Sequence, residues 1–366
     1  MTDFYQEYGL KHVINASGKM TILGVSKVPQ VAIDAQQFGD THFFEISDLV
    51  DKTGAYIAKL LGAEDAVVVN SASAGLAEAV AGVIGEGSMY HVYHPYAKRY
   101  TKREIVMPKG HNVDYGAPEE IPIVEGGGQV VEAGYANMCT PEHIDMMITE
   151  NTAAVLYVKS HHTVQKSMLS IPDALAVAHK HHLPLILDAA AEEDLKKYVK
   201  MGVDIVVFSG AKALEGPASG LVFGKKPYIG WLKLQSLGLG RAMKIGKENI
   251  LGFTTAVKHY LEVGPESGTA MQARLDPFIT ALNQVPHLSV KCVQDGAGRE
   301  IYRAEVSIQP DSPKDAKQVV AELKAGDPAI YTREYRANEG VFEFDIRAVD
   351  AEEMTAITTR LHEILG

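Results

Sequence analysis

Two short apolar runs between Leu183 and Gly220 constrain this 366-residue chain more than any other segment. The first, Leu183 to Leu187, delivers Asp188 into Ala189-Ala190-Ala191. The second, Asp204 to Phe208, delivers Ser209-Gly210-Ala211-Lys212, followed by Glu215-Gly216-Pro217 and Ser219-Gly220. An apolar run of about five residues ending at a polar or glycine cluster is the pattern of a strand buried on both faces of a parallel sheet. Ligands of such sheets sit just beyond the carboxyl ends of the strands. Asp188 and Lys212 are therefore expected to face one crevice.

The rest of the chain repeats that pattern. Ala66 to Val69 leads into Asn70-Ser71-Ala72-Ser73 and a small-residue helix from Ala74 to Val83. Ile105 to Met107 leads to Gly110-His111, and Ala153 to Val158 leads to Lys159-Ser160-His161-His162. Helices are expected from Ser47 to Leu61 and from Pro172 to His181, the latter opening at a proline, a favoured first-turn residue. Strands separated by helices imply an α/β fold with a mainly parallel, doubly wound sheet. Residues 1–45 read as an N-terminal arm and 46–247 as the large domain. Residues 248–366 read as a linking helix (Glu248 to Glu262) and a small C-terminal α+β domain. There, alternating runs such as Ile301 to Ile308 and Val341 to Arg347 accompany helices over 314–324 and 351–364.

Composition narrows the function classes. Hydrophobic residues make up 46% and charged residues 22%, as in a soluble globular protein. No run approaches the roughly 18 apolar residues of a membrane span. The first residues form no secretory signal, and two cysteines are too few for a disulfide framework, so a cytoplasmic location is expected. A net charge of −11 argues against a general nucleic-acid surface. Local cations do cluster at Lys98, Arg99, Lys102 and Arg103, and again at Arg241, Lys244 and Lys247. A small phosphorylated substrate needs only a few cations.

Several residues can carry chemistry. A carboxylate that holds a pyridinium nitrogen and a lysine that condenses with an aldehyde are the two groups pyridoxal phosphate needs most. Asp188 and Lys212 supply that pair; an acidic loop residue and a solvated lysine are the plain alternative. The segment from Asn70 to Gly75 puts small residues at a helix start, where backbone N–H groups receive anions; an ordinary serine cap explains it equally. Ser209 can donate to the same phosphate. His111 follows a strand end and a glycine, so its ring can lie against a flat cofactor. Ser160, His161 and His162 can line the substrate side. Adjacent histidines on an extended segment point to opposite faces, so no metal site is expected there. Arg333 and Arg347 offer guanidinium forks for a carboxylate, or ordinary salt bridges.

Taken in order, Ile14 to Gly18, Val69 to Gly75, Glu132 to Asn137, Ile148 to Ala153, Phe208 to Lys212, Gly216 to Gly220, Arg241 to Lys247 and Phe344 to Arg347 resemble the fold-type I pyridoxal-phosphate enzymes. The resemblance is to the branch related to bacterial seryl-tRNA(Sec) selenium transferase, and it covers nearly the whole chain. It implies that Lys212 bonds covalently to the cofactor and that Asp188 pairs with the ring nitrogen. It implies a phosphate held around Ala72, Ser73 and Ala74 with Ser209, and His111 over the ring. Because active sites of this class lie between subunits, it also implies a homodimer or higher homo-oligomer.

Within the branch the chain is most similar to ammonia-lyases of phosphorylated amino-sugar acids. That similarity implies β-elimination of water from a 2-amino-3-hydroxy acid and release of ammonia. Lys212 would remove the Cα proton, with His161, His162 or Lys212 protonating the leaving hydroxyl. Arg241, Lys244 and Lys247 are candidates for the substrate phosphate, and Arg333 or Arg347 for its carboxylate. The transferases carry an extra N-terminal tRNA-gripping domain. This chain opens almost directly at the catalytic part and is acidic, so no nucleic-acid partner is expected. Selenium transfer to seryl-tRNA and a non-catalytic scaffold are the alternatives.

Overall fold

The computed structural model describes residues 3–296 and 299–366. They form two compact units, Val28–Pro265 and a second made of Met1–Lys27 with Glu266–Gly366. The sequence pattern suggests boundaries after 45 and 247. Instead, the helix Lys247–Val263 belongs to the larger unit, and the first 27 residues belong to the smaller one.

The larger unit is built on a seven-stranded sheet. Its strands are β1 (Asp65–Val69), β2 (Glu104–Pro108), β3 (Gln129–Ala133), β4 (Thr152–Val158), β5 (Leu185–Asp188), β6 (Ile205–Ser209) and β7 (Gly220–Gly224). Their order across the sheet is β1-β7-β6-β5-β4-β2-β3, and only β7 runs antiparallel to its neighbours. The alternation of side chains sorts the central strands into two layers. Leu185, Leu187, Val206 and Phe208 pack into one core with Ile57 and Ala174. Ile186, Ile205 and Val207 pack into the other with Leu76, Val80 and Val83 of the helix Ala72–Gly85. Both faces are covered, so these strands are continuously apolar. Each fully buried aliphatic side chain contributes roughly 1.5–3 kcal/mol.

Local chemistry explains the element ends. Gly62, in the left-handed conformation at φ 77°, stops the helix Ile46–Leu61. Ser170 and Asp173 form a reciprocal capping box at the start of Ile171–Lys180. Within the segment read as an N-terminal arm, a helix, Gln30–Thr41, lies across Lys247–Val263. A Cβ at Gly39 would sit 2.6 Å from the Glu248 Cα, so that crossing requires glycine.

The smaller unit holds an antiparallel sheet of Leu288–Gln294, Tyr302–Ile308 and Val341–Phe344, and a parallel pair, Val13–Ala16 with Ala329–Thr332. The last strand is shorter than expected. It ends at Phe344, and Arg347 lies in the following 3-10 turn, Ile346–Ala348. Two of the segments that carried the resemblance meet here: the Asp345 amide donates to the Ala16 carbonyl at 2.8 Å. A buried ion network surrounds that junction. Arg303 contacts Asp345 at 3.0 Å and Asp295 at 2.9 Å.

Candidate active site

Strand register assembles the site. Asp188 is the Cα partner of Val158 on β4 and of Val207 on β6. Further along β6, Ser209 is the partner of Gly220 on β7, which is in turn the partner of Val69 on β1. The carboxyl ends of β1, β5 and β6 therefore lie side by side. Asp188 shares the alternation of Ile186, and Ser209 that of Val207. Both side chains thus belong to the face covered by the helix Ala72–Gly85.

The N-terminus of that helix arrives at the same place because Gly220 lets it. A Cβ there would lie 2.5 Å from the Ser71 backbone carbonyl and 2.7 Å from the Ala72 nitrogen. Ser71 caps the helix, its Oγ accepting from the Ala74 amide at 3.0 Å. The Ala74 amide is thus taken up by the serine cap. The Ala72 and Ser73 amides precede it in the first turn, where the helix dipole favours an anion. Ser73 Oγ lies 2.9 Å from the Tyr115 hydroxyl.

Lys212 sits in a turn closed by backbone hydrogen bonds. The Gly210 amide donates to the Ser219 carbonyl, and the Gly216 amide to the Gly210 carbonyl, each at 2.9 Å. A Cβ at Gly210 would meet Ser219 Oγ at 2.1 Å and the Phe253 ring at 2.8 Å. The glycines thus pack the turn against Phe253 and hold Lys212 beyond the end of β6.

Asp188 as a residue is only partly covered, yet its carboxyl is enclosed enough that burial pushes its pKa up. Opposing that are the Ala190 amide, which donates to Asp188 Oδ1 at 2.8 Å, the Lys212 charge, and a hydrogen bond with Glu119. Lys212 thus lies within electrostatic reach of the Asp188 carboxyl. Glu119 and Tyr115 were not foreseen. Both come from the loop that follows β2 and His111, itself a strand-end loop, which was the available signal.

His111 is fully buried, its ring edge-on to Tyr157 with centroids 4.5 Å apart. The Val158 amide donates to its Nδ1 at 3.4 Å. Burial, reinforced by the Lys159 charge, pushes its pKa down to about 4, so the ring is neutral at physiological pH. Ser160, His161 and His162 lie in a turn beyond β4. There the two imidazoles lie side by side, centroids 4.0 Å apart, rather than on opposite faces, because the segment turns instead of extending.

Of the cationic candidates, Arg241 and Lys244 are exposed. Lys247 is a helix cap: its Nζ donates to the carbonyls of Asp40 and His42 at the end of Gln30–Thr41. In the smaller unit, Arg347 forks onto Asp345, Nε to Oδ1 at 2.9 Å and NH2 to Oδ2 at 2.8 Å. Arg333 Nε lies 3.4 Å from Glu343 Oε2.

Together these groups fit pyridoxal phosphate. They provide an amine, a carboxylate held by a backbone donor, and serine hydroxyls beside a helix N-terminus. The fold is that of the fold-type I pyridoxal-phosphate enzymes. A solved structure of D-glucosaminate-6-phosphate ammonia-lyase superposes with a TM-score of 0.93 at 45% identity, covering 100% of this chain and 98% of that one. The D-glucosaminate-6-phosphate ammonia lyase of Salmonella typhimurium is 46% identical over 363 residues, 99% of this chain and 98% of that protein. A 5'-C-glycyluridine monooxygenase-decarboxylase from Streptomyces is 34% identical over 365 residues, 99% of this chain and 92% of that protein. The family model for L-seryl-tRNA selenium transferase matches residues 47–275, and the chain belongs to that family.

Proposed function

We propose that this chain is a pyridoxal-phosphate-dependent ammonia-lyase converting D-glucosaminate 6-phosphate to 2-keto-3-deoxygluconate 6-phosphate and ammonia. The observation that carries the reading is full-length similarity at 46% identity to a lyase of that name, joined to the placement of Asp188 and Ser209 at adjacent strand ends with Lys212 in the turn that follows. When bound, the cofactor supplies an electron sink for the pair left at the substrate Cα.

Asp188 holds the ring nitrogen in its protonated form. Lys212 would hold the cofactor through its Nζ, and the same amine would carry the Cα proton. Hydroxide is a poor leaving group, so the β-hydroxyl oxygen receives a proton as its bond to carbon breaks. His161, His162 and Lys212 are the candidate donors. The Ala72 and Ser73 amides, the turn at Ala74, Ser73 Oγ and Ser209 Oγ would hold the cofactor phosphate, and His111 would cover its ring. A neutral His111 suits that contact, since a cation there would oppose a protonated ring. Ser160 would line the substrate side, and Arg241 and Lys244 would bind the substrate phosphate.

The acidic charge weighs against selenium transfer on seryl-tRNA, the reading that the family's description favours. We read the protein as cytoplasmic and at least dimeric. Two cysteines, Cys139 and Cys292, are both free, which suits a reducing compartment. Among the described residues no helix is long and apolar enough to cross a membrane.

The test is a ketoacid and ammonia assay across 2-amino-3-hydroxy acids, with and without a terminal phosphate. Preference for the phosphorylated sugar acid supports the proposal. Equal rates on plain serine would defeat the substrate assignment.

A further inference from the structure

Glu119 is the least expected group in the crevice. It is 1% exposed, its backbone amide is tied to the Val113 carbonyl at 3.0 Å, and its carboxyl hydrogen-bonds that of Asp188. Two carboxylates in contact in a buried site cannot both be ionised, so the pair carries one proton. Its location follows from the donors. Asp188 Oδ1 receives the Ala190 N–H, which stabilises a negative charge there. Glu119 Oε1 is buried and accepts no hydrogen bond, so an anion on Glu119 would be unsupported.

We propose that Glu119 is a positioning residue that, as the un-ionised acid, donates its hydroxyl hydrogen to the Asp188 carboxylate and fixes its place and charge where a pyridinium nitrogen docks. This inference rests on the proposed role of Asp188. The donors from Ala190 and Glu119 oppose the rise that burial imposes, so Asp188 is a weaker base than the same buried carboxylate would be without them. The proton between it and the ring therefore stays on the nitrogen, as an electron sink requires. The other ionisable groups facing Glu119 are Lys212, whose charge opposes retention of the proton, and Tyr115 of the same loop. Burial and the Asp188 charge outweigh Lys212, and the Glu119 pKa lies far above the ordinary carboxylate range.

The test compares wild type, Glu119→Gln and Glu119→Ala. Glutamine keeps a neutral donor of the same shape, whereas alanine has none. Three readouts apply: infrared detection of a protonated carboxyl in the cofactor-free protein, the dissociation constant for pyridoxal phosphate, and the visible spectrum of the loaded protein against pH. The wild-type minus Glu119→Gln difference spectrum should show a carboxylic acid band at neutral pH, because the buried Glu78 acid is common to both and cancels. Glu119→Gln should hold the cofactor within about threefold of wild type, while Glu119→Ala weakens it about tenfold, roughly 1.4 kcal/mol. An alkaline spectral transition in wild type should vanish in Glu119→Gln. Absence of the acid band from that difference spectrum, equal affinity in wild type and Glu119→Ala, or a glutamine variant as poor as alanine would each overturn the inference. If wild type takes up no cofactor, the reading of the site fails, and the infrared band still decides where the proton sits.

Discussion

Ser209 and Gly220 are Cα partners across β6 and β7, and a side chain on Gly220 would press against the Ser71 carbonyl at 2.5 Å. That pairing sets the distance between the strand carrying Ser209 and the helix that begins at Ala72. Gly220→Ala must push the helix start away or distort β7, at a cost of about 1–3 kcal/mol for overpacking. We expect a lower melting temperature and a cofactor dissociation constant raised about tenfold. Unchanged affinity would mean that the helix start does not hold the phosphate.

The cations that follow β7 should separate in kinetics. Arg241→Ala and Lys244→Ala are expected to raise KM for the phosphorylated substrate about tenfold, as loss of a charge-assisted hydrogen bond does. KM for an unphosphorylated analogue should stay unchanged. Lys247→Met should instead lower stability by about 0.5–1 kcal/mol through loss of the cap on Gln30–Thr41, with KM unaltered.

Glu78, 6% exposed on the helix Ala72–Gly85, has its pKa pushed by burial up to about 8. A carboxyl whose folded pKa is raised contributes its full stability only below its unfolded value of about 4.3. That contribution declines as pH rises to about 8. Urea unfolding of the cofactor-free protein at pH 5, 6.5 and 8 should show stability falling by a few kcal/mol, on the order of the linkage expected. Glu78→Gln should flatten the fall and be the more stable protein at pH 8. Parallel curves would show that Glu78 is not buried as the acid.

Much of the larger unit was legible because its strands are short, apolar and closed by glycine or serine. β5 and β6 lie within a residue or two of where the pattern put them. The placement of Asp188 at the end of β5 and of Lys212 just past β6 was legible for the same reason, since a strand end gives a residue its address. Glu119 was not, because it reaches Asp188 through the Asn112–Pro118 loop, whose path no periodicity encodes. Arg347 illustrates the opposite error. The alternation from Val341 continued past the strand end, but Asp345 caps a turn there and takes the arginine as its own partner. The boundary between units was hidden because Val13–Ala16 pairs with Ala329–Thr332, a contact between opposite ends of the sequence.

The most direct test of the account is to load the protein with pyridoxal phosphate, reduce it with borohydride and map the modified peptide by mass spectrometry. The cofactor should be fixed to Lys212, and Lys212→Ala should take none, with the fold retained by circular dichroism. Label on another lysine, or a wild-type protein that stays colourless and unlabelled, would contradict it.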